Sequence, residues 1–145
     1  MGWQNNNLSL QGVAFDKRAQ RSLMDRRVQS VIKLMEMFLD RPLSVDDLAR
    51  SVNLSTWRLC HIFKNETNRP PLQYLRNLRM QHAKRLLETT FLSVKQIMTE
   101  VGVRDESHFV RDFKTTYGQS PTRYRQLSQS VLRTVSPQMP RSKSG

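Results

Sequence analysis

The sequence of 145 residues is poor in cysteine and lacks a long apolar run. Its single cysteine, Cys60, excludes an intramolecular disulfide framework and a cysteine-clustered zinc site, and it is typical of a reducing compartment. No stretch approaches the roughly 18 consecutive apolar residues of a membrane span. The N-terminus has no basic segment followed by an apolar one, so no secretory signal is expected. These absences predict a cytoplasmic protein with no membrane partner.

Acidic residues are also scarce, since 12 Asp and Glu stand against 24 Lys and Arg, for a formal net charge of +12. Such an excess on so small a chain favours a polyanionic partner. Residues 1–27 and 128–145 each carry a net charge of +3, and residues 28–127 carry +6. The first segment is polar and predicts a loosely ordered head with at most a short helix around Asp16 to Arg27. The last is rich in Ser, Pro and basic residues and predicts a disordered tail.

An internal repeat organises the middle of the chain. The tripeptide Leu-Ser-Val at 43–45 recurs at 92–94, at an offset of 49, and the pair Phe-Lys at 63–64 recurs at 113–114, at an offset of 50. Several further positions match in character and in order, so the region contains two copies of one unit. The change of offset means that the second copy has one extra residue in its middle, near Asp105.

Each copy predicts two helices joined by a short turn. In the first copy Ser44 and Ser55 are N-cap candidates, and Asn53 stands where the chain reverses, because Asn tolerates a left-handed conformation. In the second copy Ser93 and Gly102 take the corresponding places. A small residue on the first helix followed four residues later by a reversal is the spacing of a helix-turn-helix. One copy alone is a weak signal, but two at a fixed spacing on a basic chain favour a DNA-binding protein.

Longer amphipathic segments flank the copies. Residues 28–40 place apolar side chains on one side before Pro42 stops the helix, and residues 71–89 form a stiff helical linker. The sequence therefore predicts an all-α fold of two helix-turn-helix lobes, about 28–68 and 90–127, joined by this linker helix. Its stiffness lets both lobes enter the same face of a duplex about one turn, or ~34 Å, apart.

The second copy carries the most specific residues. They are Ile-Met-Thr-Glu-Val-Gly-Val at 97–103, Ser-His-Phe-Val-Arg-Asp-Phe-Lys at 107–114 and Tyr-Gly-Gln-Ser-Pro-Thr-Arg-Tyr-Arg at 117–125. With Leu-Arg-Met-Gln-His-Ala-Lys-Arg-Leu-Leu at 78–87, they resemble the DNA-binding domain of the AraC/XylS transcription regulators over about residues 28–127. The resemblance implies about seven helices in two lobes, with two recognition helices in successive major-groove segments.

The chain departs from the family pattern at three positions. Met98 stands where a small alanine is expected, Val103 where an aromatic residue is usual, and Asn68 where a glycine normally closes the first unit. Methionine is flexible enough to fill an irregular gap, so these departures bear on the binding geometry more than on the fold. The family position of Arg79, on the linker, implies that this arginine is buried and paired.

The outward positions on the second helix of each copy are the candidate DNA contacts. By the resemblance, the residues predicted to reach base edges are Trp57, Cys60, His61, Glu106, Ser107, His108 and Arg111. The residues predicted at phosphates are Arg58, Lys64, Arg104, Lys114, Thr122, Arg123 and Arg125. Arg111 is the strongest single candidate, because a guanidinium pairs with O6 and N7 of guanine or with phosphate.

Several of these residues have a plainer interpretation. Trp57 and His61 could instead pack against the core, and Glu106 could simply cap its helix. Arg111 could form an ion pair with Glu106 or Asp112. Cys60 is not expected to act as a nucleophile or redox switch, because no base or resolving cysteine is apparent.

The predicted function is a sequence-specific DNA-binding transcription regulator, an activator with RNA polymerase as a further partner, associated with a bacterial nucleoid. The alternative is a weakly specific nucleic-acid-binding or architectural protein driven by charge. An enzyme, a cofactor and a metal are not expected, because His61, His82 and His108 lie on separate helices and no glycine-rich phosphate loop exists. No effector-binding domain is apparent, so both a stand-alone regulator and a fragment of a longer one stay open.

Overall fold

The computed structural model describes residues 24–135, which form seven helices and no strand. The helices are α1 (Arg26–Met37), α2 (Val45–Ser51), α3 (Thr56–Thr67), α4 (Pro71–Thr89), α5 (Val94–Glu100), α6 (Glu106–Tyr117) and α7 (Pro121–Val135). The all-α prediction is confirmed. None of these seven helices combines the length and the apolar character needed to cross a membrane.

Local capping explains where the paired helices begin. Ser44 caps α2, Ser55 caps α3, Ser93 caps α5 and Asp105 caps α6, and each side chain accepts a hydrogen bond from the backbone N–H of the third helical residue. In α2 and α5 the third residue also bonds back to the backbone of the cap, which completes a capping box. The three serine caps predicted from the sequence are confirmed.

Four residues with positive φ reverse the chain within the lobes. Asn53 (φ 55°) and Gly102 (φ 69°) lie in the two helix-turn-helix turns, and Asn68 (φ 59°) and Gly118 (φ 77°) end α3 and α6. Four residues separate α2 from α3, whereas five separate α5 from α6, and the last of these five is Asp105. The extra residue of the second copy therefore lies in its turn, as the change of offset predicts.

Each lobe has its own apolar core, and α4 contributes to both. The buried residues of the first core, in lobe 1, are Val28, Val31, Met35, Leu48, Ala49, Leu59, Phe63 and Leu75. Those of the second core, in lobe 2, are Met80, Ala83, Leu87, Ile97, Met98, Val101, Phe109 and Phe113. Full burial of one large apolar side chain contributes about 1.5–3 kcal/mol, so these clusters hold α4 firmly between the lobes.

The predicted segment boundaries differ from the structure at both ends. The predicted head, 1–27, overlaps α1, which is capped by Asp25, while residues 1–23 lie outside the described part of the chain. The prediction of a disordered tail from Ser128 is wrong at its start, because α7 continues to Val135. The hydroxyl of Ser128 donates to a carbonyl one turn earlier, so a hydroxyl-rich sequence is compatible with this helix. Residues 136–145, the rest of the predicted tail, lie outside the described part.

The linker helix α4 also contacts the loop between α1 and α2. From α4, Arg79 donates through Nε to the carbonyl of Leu39 (3.1 Å) and through Nη2 to the carbonyl of Arg41 (2.7 Å). Partial burial lowers the pKa of the Arg79 guanidinium, which nevertheless stays charged at neutral pH. The expectation of a paired Arg79 is confirmed, and its partners are backbone carbonyls.

Candidate nucleic-acid interface

The outward face of α3 carries a stacked aromatic pair. Trp57 and His61 lie one turn apart, and their rings are nearly parallel, with centroids 5.5 Å apart and an interplanar angle of 9°. Trp57 is 71% exposed, and His61 is exposed with Nε2 3.4 Å from the side-chain amide of Asn65. The alternative that either ring packs into the core is therefore wrong. Lys64, also exposed, continues this α3 stripe by one turn.

Two other residues of α3 have a more structural setting. Cys60 is half-buried. Its equivalent at the offset of 50, Val110, packs against the second core, so this position lies at the edge of the outward face. Thr56 donates its hydroxyl to Asp46 on α2 at 2.5 Å, which ties the beginning of α3 to the helix before it.

The outward face of α6 is polar and cationic. At the offset of 50, Ser107, Arg111 and Lys114 align with the three residues of the α3 stripe, and all three are exposed. The carboxylate of Asp112 lies 3.6 Å from Nε of Arg76 on α4. Within residues 24–135, Arg111 has no ion pair, so the alternative that it is neutralised along its own helix is wrong.

Asp105 organises the first turn of α6. It accepts a hydrogen bond from the backbone N–H of His108 at 2.8 Å, and this bond is the main reason that its pKa is lowered. The Nδ1 of His108 lies 3.3 Å from the same carboxylate, so His108 is held at the start of the helix. Because Asp105 is the cap, Glu106 is an exposed first-turn residue and not the cap.

Six of the seven phosphate candidates are exposed and surround these two faces. Arg104 occupies the turn before α6, and Thr122 and Arg123 lie in the first turn of α7, where the helix dipole favours an anion. Arg104, His108 and Arg111 share the lining of an open cleft of about 780 Å³ between the lobes. The exposed candidates are Arg58, Lys64, Arg104, Lys114, Thr122 and Arg123.

Arg125 is the exception among the phosphate candidates. It is half-buried, and neighbouring atoms cover its Nε and Nη2, which have no hydrogen-bond partner among the described residues. At the offset of 50 it aligns with Leu75, a core residue that is 3% exposed. Arg125 therefore occupies an inward position, and the prediction that it contacts phosphate is not supported. The inward position could have been predicted from the internal repeat, because the equivalent residue of the first copy, Leu75, is apolar.

One supporting contact has no signal in the sequence. The hydroxyl of Tyr124 on α7 donates to Glu88 on α4 at 2.5 Å. Desolvation and this hydrogen bond raise the pKa of Tyr124 to about 12. The bond fixes the beginning of α7 against α4, and with it the positions of Thr122 and Arg123. Among residues 24–135, no cluster of three or more potential metal ligands occurs.

Known proteins share this arrangement. A family model described as a helix-turn-helix domain matches residues 48–127. The DNA-binding domain of AdpA, solved in complex with a target DNA, superimposes with a TM-score of 0.70 at 28% identity, covering 75% of this chain and 97% of that one. An AraC-type transcriptional regulator from Chromobacterium violaceum gives a TM-score of 0.67 at 29% identity, covering 71% and 92%.

Sequence similarity to a curated relative supports the same family. The Msm operon regulatory protein of Streptococcus mutans is 34% identical over 103 residues, which is 71% of this chain and 37% of that protein. The chain thus spans little more than a third of the relative's length. The domain match covers more than half of the chain, from α2 in lobe 1 to the end of lobe 2. The chain belongs to the AraC/XylS family of helix-turn-helix DNA-binding regulators, which are not enzymes.

Proposed function

We propose that the protein is a sequence-specific transcription regulator that inserts α3 and α6 into successive major-groove segments of one duplex. The observation that carries this proposal is the pair of equivalent exposed stripes, one on α3 and one on α6. The two lobes that present these stripes are joined by the linker helix α4. With 19 residues and a rise of ~1.5 Å per residue, α4 is ~28 Å long. This length is comparable to the ~34 Å between major-groove segments one turn apart.

The two stripes predict different base preferences. The indole of Trp57 suits apolar contact with a thymine methyl, and His61 suits a base acceptor or a phosphate. Arg111 suits the O6 and N7 atoms of guanine, and Glu106 suits the N4 amino group of cytosine. We therefore expect α3 to select a thymine-containing block and α6 a G·C-containing block, with Ser107 and His108 assisting α6. Cys60 has the least exposed position of these candidates.

The exposed cations around the stripes supply affinity without sequence preference. Five of the six exposed candidates named above are cationic, and five phosphate contacts of this kind predict a slope of about −4.5 for log K against log salt. The strongly positive net charge of +12 adds general attraction.

The proposal is tested by selecting bound sites from a random duplex pool with the full chain. We expect two short blocks with centres about 10 base pairs apart. Arg111→Ala removes the preference only in the second block, and Trp57→Ala removes it only in the first. If selected and random duplexes compete equally at fixed salt, the protein is instead a weakly specific, charge-driven nucleic-acid-binding protein.

We further propose that the regulator is an activator that contacts RNA polymerase on the bacterial nucleoid, as the family resemblance implies. A promoter carrying the selected site, transcribed in vitro by purified bacterial RNA polymerase, tests this. Transcript yield rises with the wild type and not with Arg111→Ala. A fall in yield identifies a repressor.

A further inference from the structure

The backbone of Gly102, in the turn of lobe 2, approaches the loop between α1 and α2 in lobe 1. A Cβ atom placed on Gly102 would lie 2.8 Å from the carbonyl carbon and 2.9 Å from the carbonyl oxygen of Asp40, and closer still to the carbonyl oxygen of Leu39. Cβ atoms essentially never come within 3.0 Å of such atoms. Any residue except glycine at this position therefore requires the backbone at this contact between the lobes to shift.

The left-handed conformation alone does not explain this glycine. The equivalent turn of lobe 1 has Asn53 at φ 55°, and the end of α3 has Asn68 at φ 59°. At the end of α6, Gly118 has φ 77°, yet a Cβ there would meet nothing within 4 Å. Asparagine thus satisfies this backbone conformation twice in the same chain. Gly102 is distinguished by its contact across the lobes.

Arg79 holds the same loop from the other side. The carbonyl of Leu39 that lies against Gly102 also accepts from Nε of Arg79, and the carbonyl of Arg41 accepts from Nη2. These carbonyls follow the C-terminus of α1, where a charge-assisted hydrogen bond from a guanidinium is favourable. Gly102 of lobe 2 and Arg79 of the linker therefore contact the same loop of lobe 1, residues 39–41, from two sides.

We propose that Gly102, Arg79 and the loop Leu39–Arg41 form an interlobe lock that fixes the spacing of the two DNA blocks the protein recognises. The locked loop leads directly into α2, and the turn that contains Gly102 leads into α6. Any opening of this contact changes the position of α6 relative to α3. Both residues are positioning residues, because they act through the recognition helices.

The lock predicts a strict spacing. One added base pair moves a block by ~3.4 Å and rotates it by ~36° around the duplex, because B-DNA repeats in about 10 base pairs. Two lobes held rigidly cannot follow this displacement, whereas two lobes joined only through α4 can partly follow it. This inference rests on the proposed two-helix binding mode.

The first experiment measures affinity for the selected site with one base pair added or removed between its blocks. The wild type and the control Gly118→Asn lose at least ~10-fold in affinity for either altered spacing, comparable to the cost of a mismatched base pair. Gly102→Asn and Arg79→Met bind the original spacing more weakly and discriminate by less than ~3-fold. Arg79→Met removes the donors without adding an atom to the turn, so it tests the lock if Gly102→Asn fails to fold.

The second experiment needs no DNA. Spin labels at Lys33→Cys in α1 and Gln126→Cys in α7, both exposed positions, report the interlobe distance in a Cys60→Ser background. The distance distribution is narrow in the parent and in Gly118→Asn, and it shifts or broadens in Gly102→Asn and Arg79→Met.

The outcomes separate the two proposals. If no two-block site is selected, the proposed binding mode fails. If a two-block site is selected and both lock variants keep the wild-type spacing preference and the parent distance distribution, the lock is overturned while the binding mode stands.

Discussion

Lobe 1 and lobe 2 share one backbone plan and differ in what their outward side chains offer. Inward positions recur in kind, as Leu59 with Phe109 and Phe63 with Phe113. Two of the three outward stripe positions do not, since Trp57 corresponds to Ser107 and His61 to Arg111, whereas the third is lysine in both lobes. The core therefore determines which residue types the repeat keeps, and the surface is free to acquire a different base preference in each lobe.

The largest expected difference between the lobes lies in their cores. Phe113 packs in an aromatic cluster with Phe109, Tyr117 and Tyr124, whereas Phe63 has an aromatic partner only in Tyr74 among the described residues. Each Phe→Ala substitution costs about 3–5 kcal/mol of unfolding free energy. We expect Phe113→Ala to lie at the upper end of this range and Phe63→Ala at the lower end, because Phe113→Ala removes more aromatic contacts than Phe63→Ala does.

Urea denaturation followed by far-ultraviolet circular dichroism measures both variants. If Phe63→Ala loses more unfolding free energy than Phe113→Ala, the aromatic cluster around Phe113 does not add to the stability of lobe 2 as expected.

The next difference lies in base recognition. Arg111→His gives α6 the side chain that α3 has at the equivalent position, and it should weaken binding to the selected site by about 1–3 kcal/mol, because bidentate pairing to guanine is lost. Competition with duplexes altered at single positions shows whether the preference is lost only in the second block. Lys114→Ala is the control, since losing a phosphate contact weakens all duplexes alike. A uniform loss with Arg111→His would place Arg111 at phosphate instead.

The N-caps of the recognition helices should differ in their response to pH. Ser55→Ala removes an uncharged cap and costs about 1 kcal/mol at any pH. The lowered pKa of Asp105 means that its carboxylate stabilises the fold at pH values above its ordinary pKa of 3.8, and that this contribution is lost as the pH falls through the lowered value. The difference between wild type and Asp105→Ala should therefore shrink as the pH falls below about 5. Urea titrations across this range measure it, and a constant difference contradicts the assignment.

The smallest difference is expected at the C-termini of the recognition helices. Asn68 and Gly118 have similar left-handed conformations, and the space around Gly118 is open. Gly118→Asn should change the unfolding free energy by less than about 0.5 kcal/mol, because asparagine tolerates this conformation. Thermal denaturation is a sufficient measurement. A larger loss would mean that the two helix ends are not equivalent.

The sequence predicted the features that have local causes. The serine caps and Pro71 are strong signals, so the beginnings of α2 to α5 could be predicted to the residue. Helical periodicity also identified the inward positions of α3 and α6, and it placed Trp57 outward while the alternative of a core position stayed open.

Features that depend on distant parts of the chain could not be predicted in this way. The contact between Gly102 and the loop of lobe 1 joins residues about sixty positions apart, and a glycine in a turn already has a local explanation. The inward position of Arg125 could have been predicted from its alignment with Leu75, but a charged side chain is normally assigned to the surface. The extension of α7 was hidden by its Ser, Thr and Gln content, which resembles that of a flexible tail.

The stacked pair on α3 also gives the protein an optical property. The chain has two tryptophans, Trp3 and Trp57, and the indole of Trp57 is 71% exposed and lies against an imidazole. Its fluorescence is sensitive to any change of solvent or ring contact on that face. In a Trp3→Phe background, emission would report the occupancy of lobe 1 alone, since lobe 2 has no tryptophan, so the engagement of lobe 1 with DNA becomes visible without a dye.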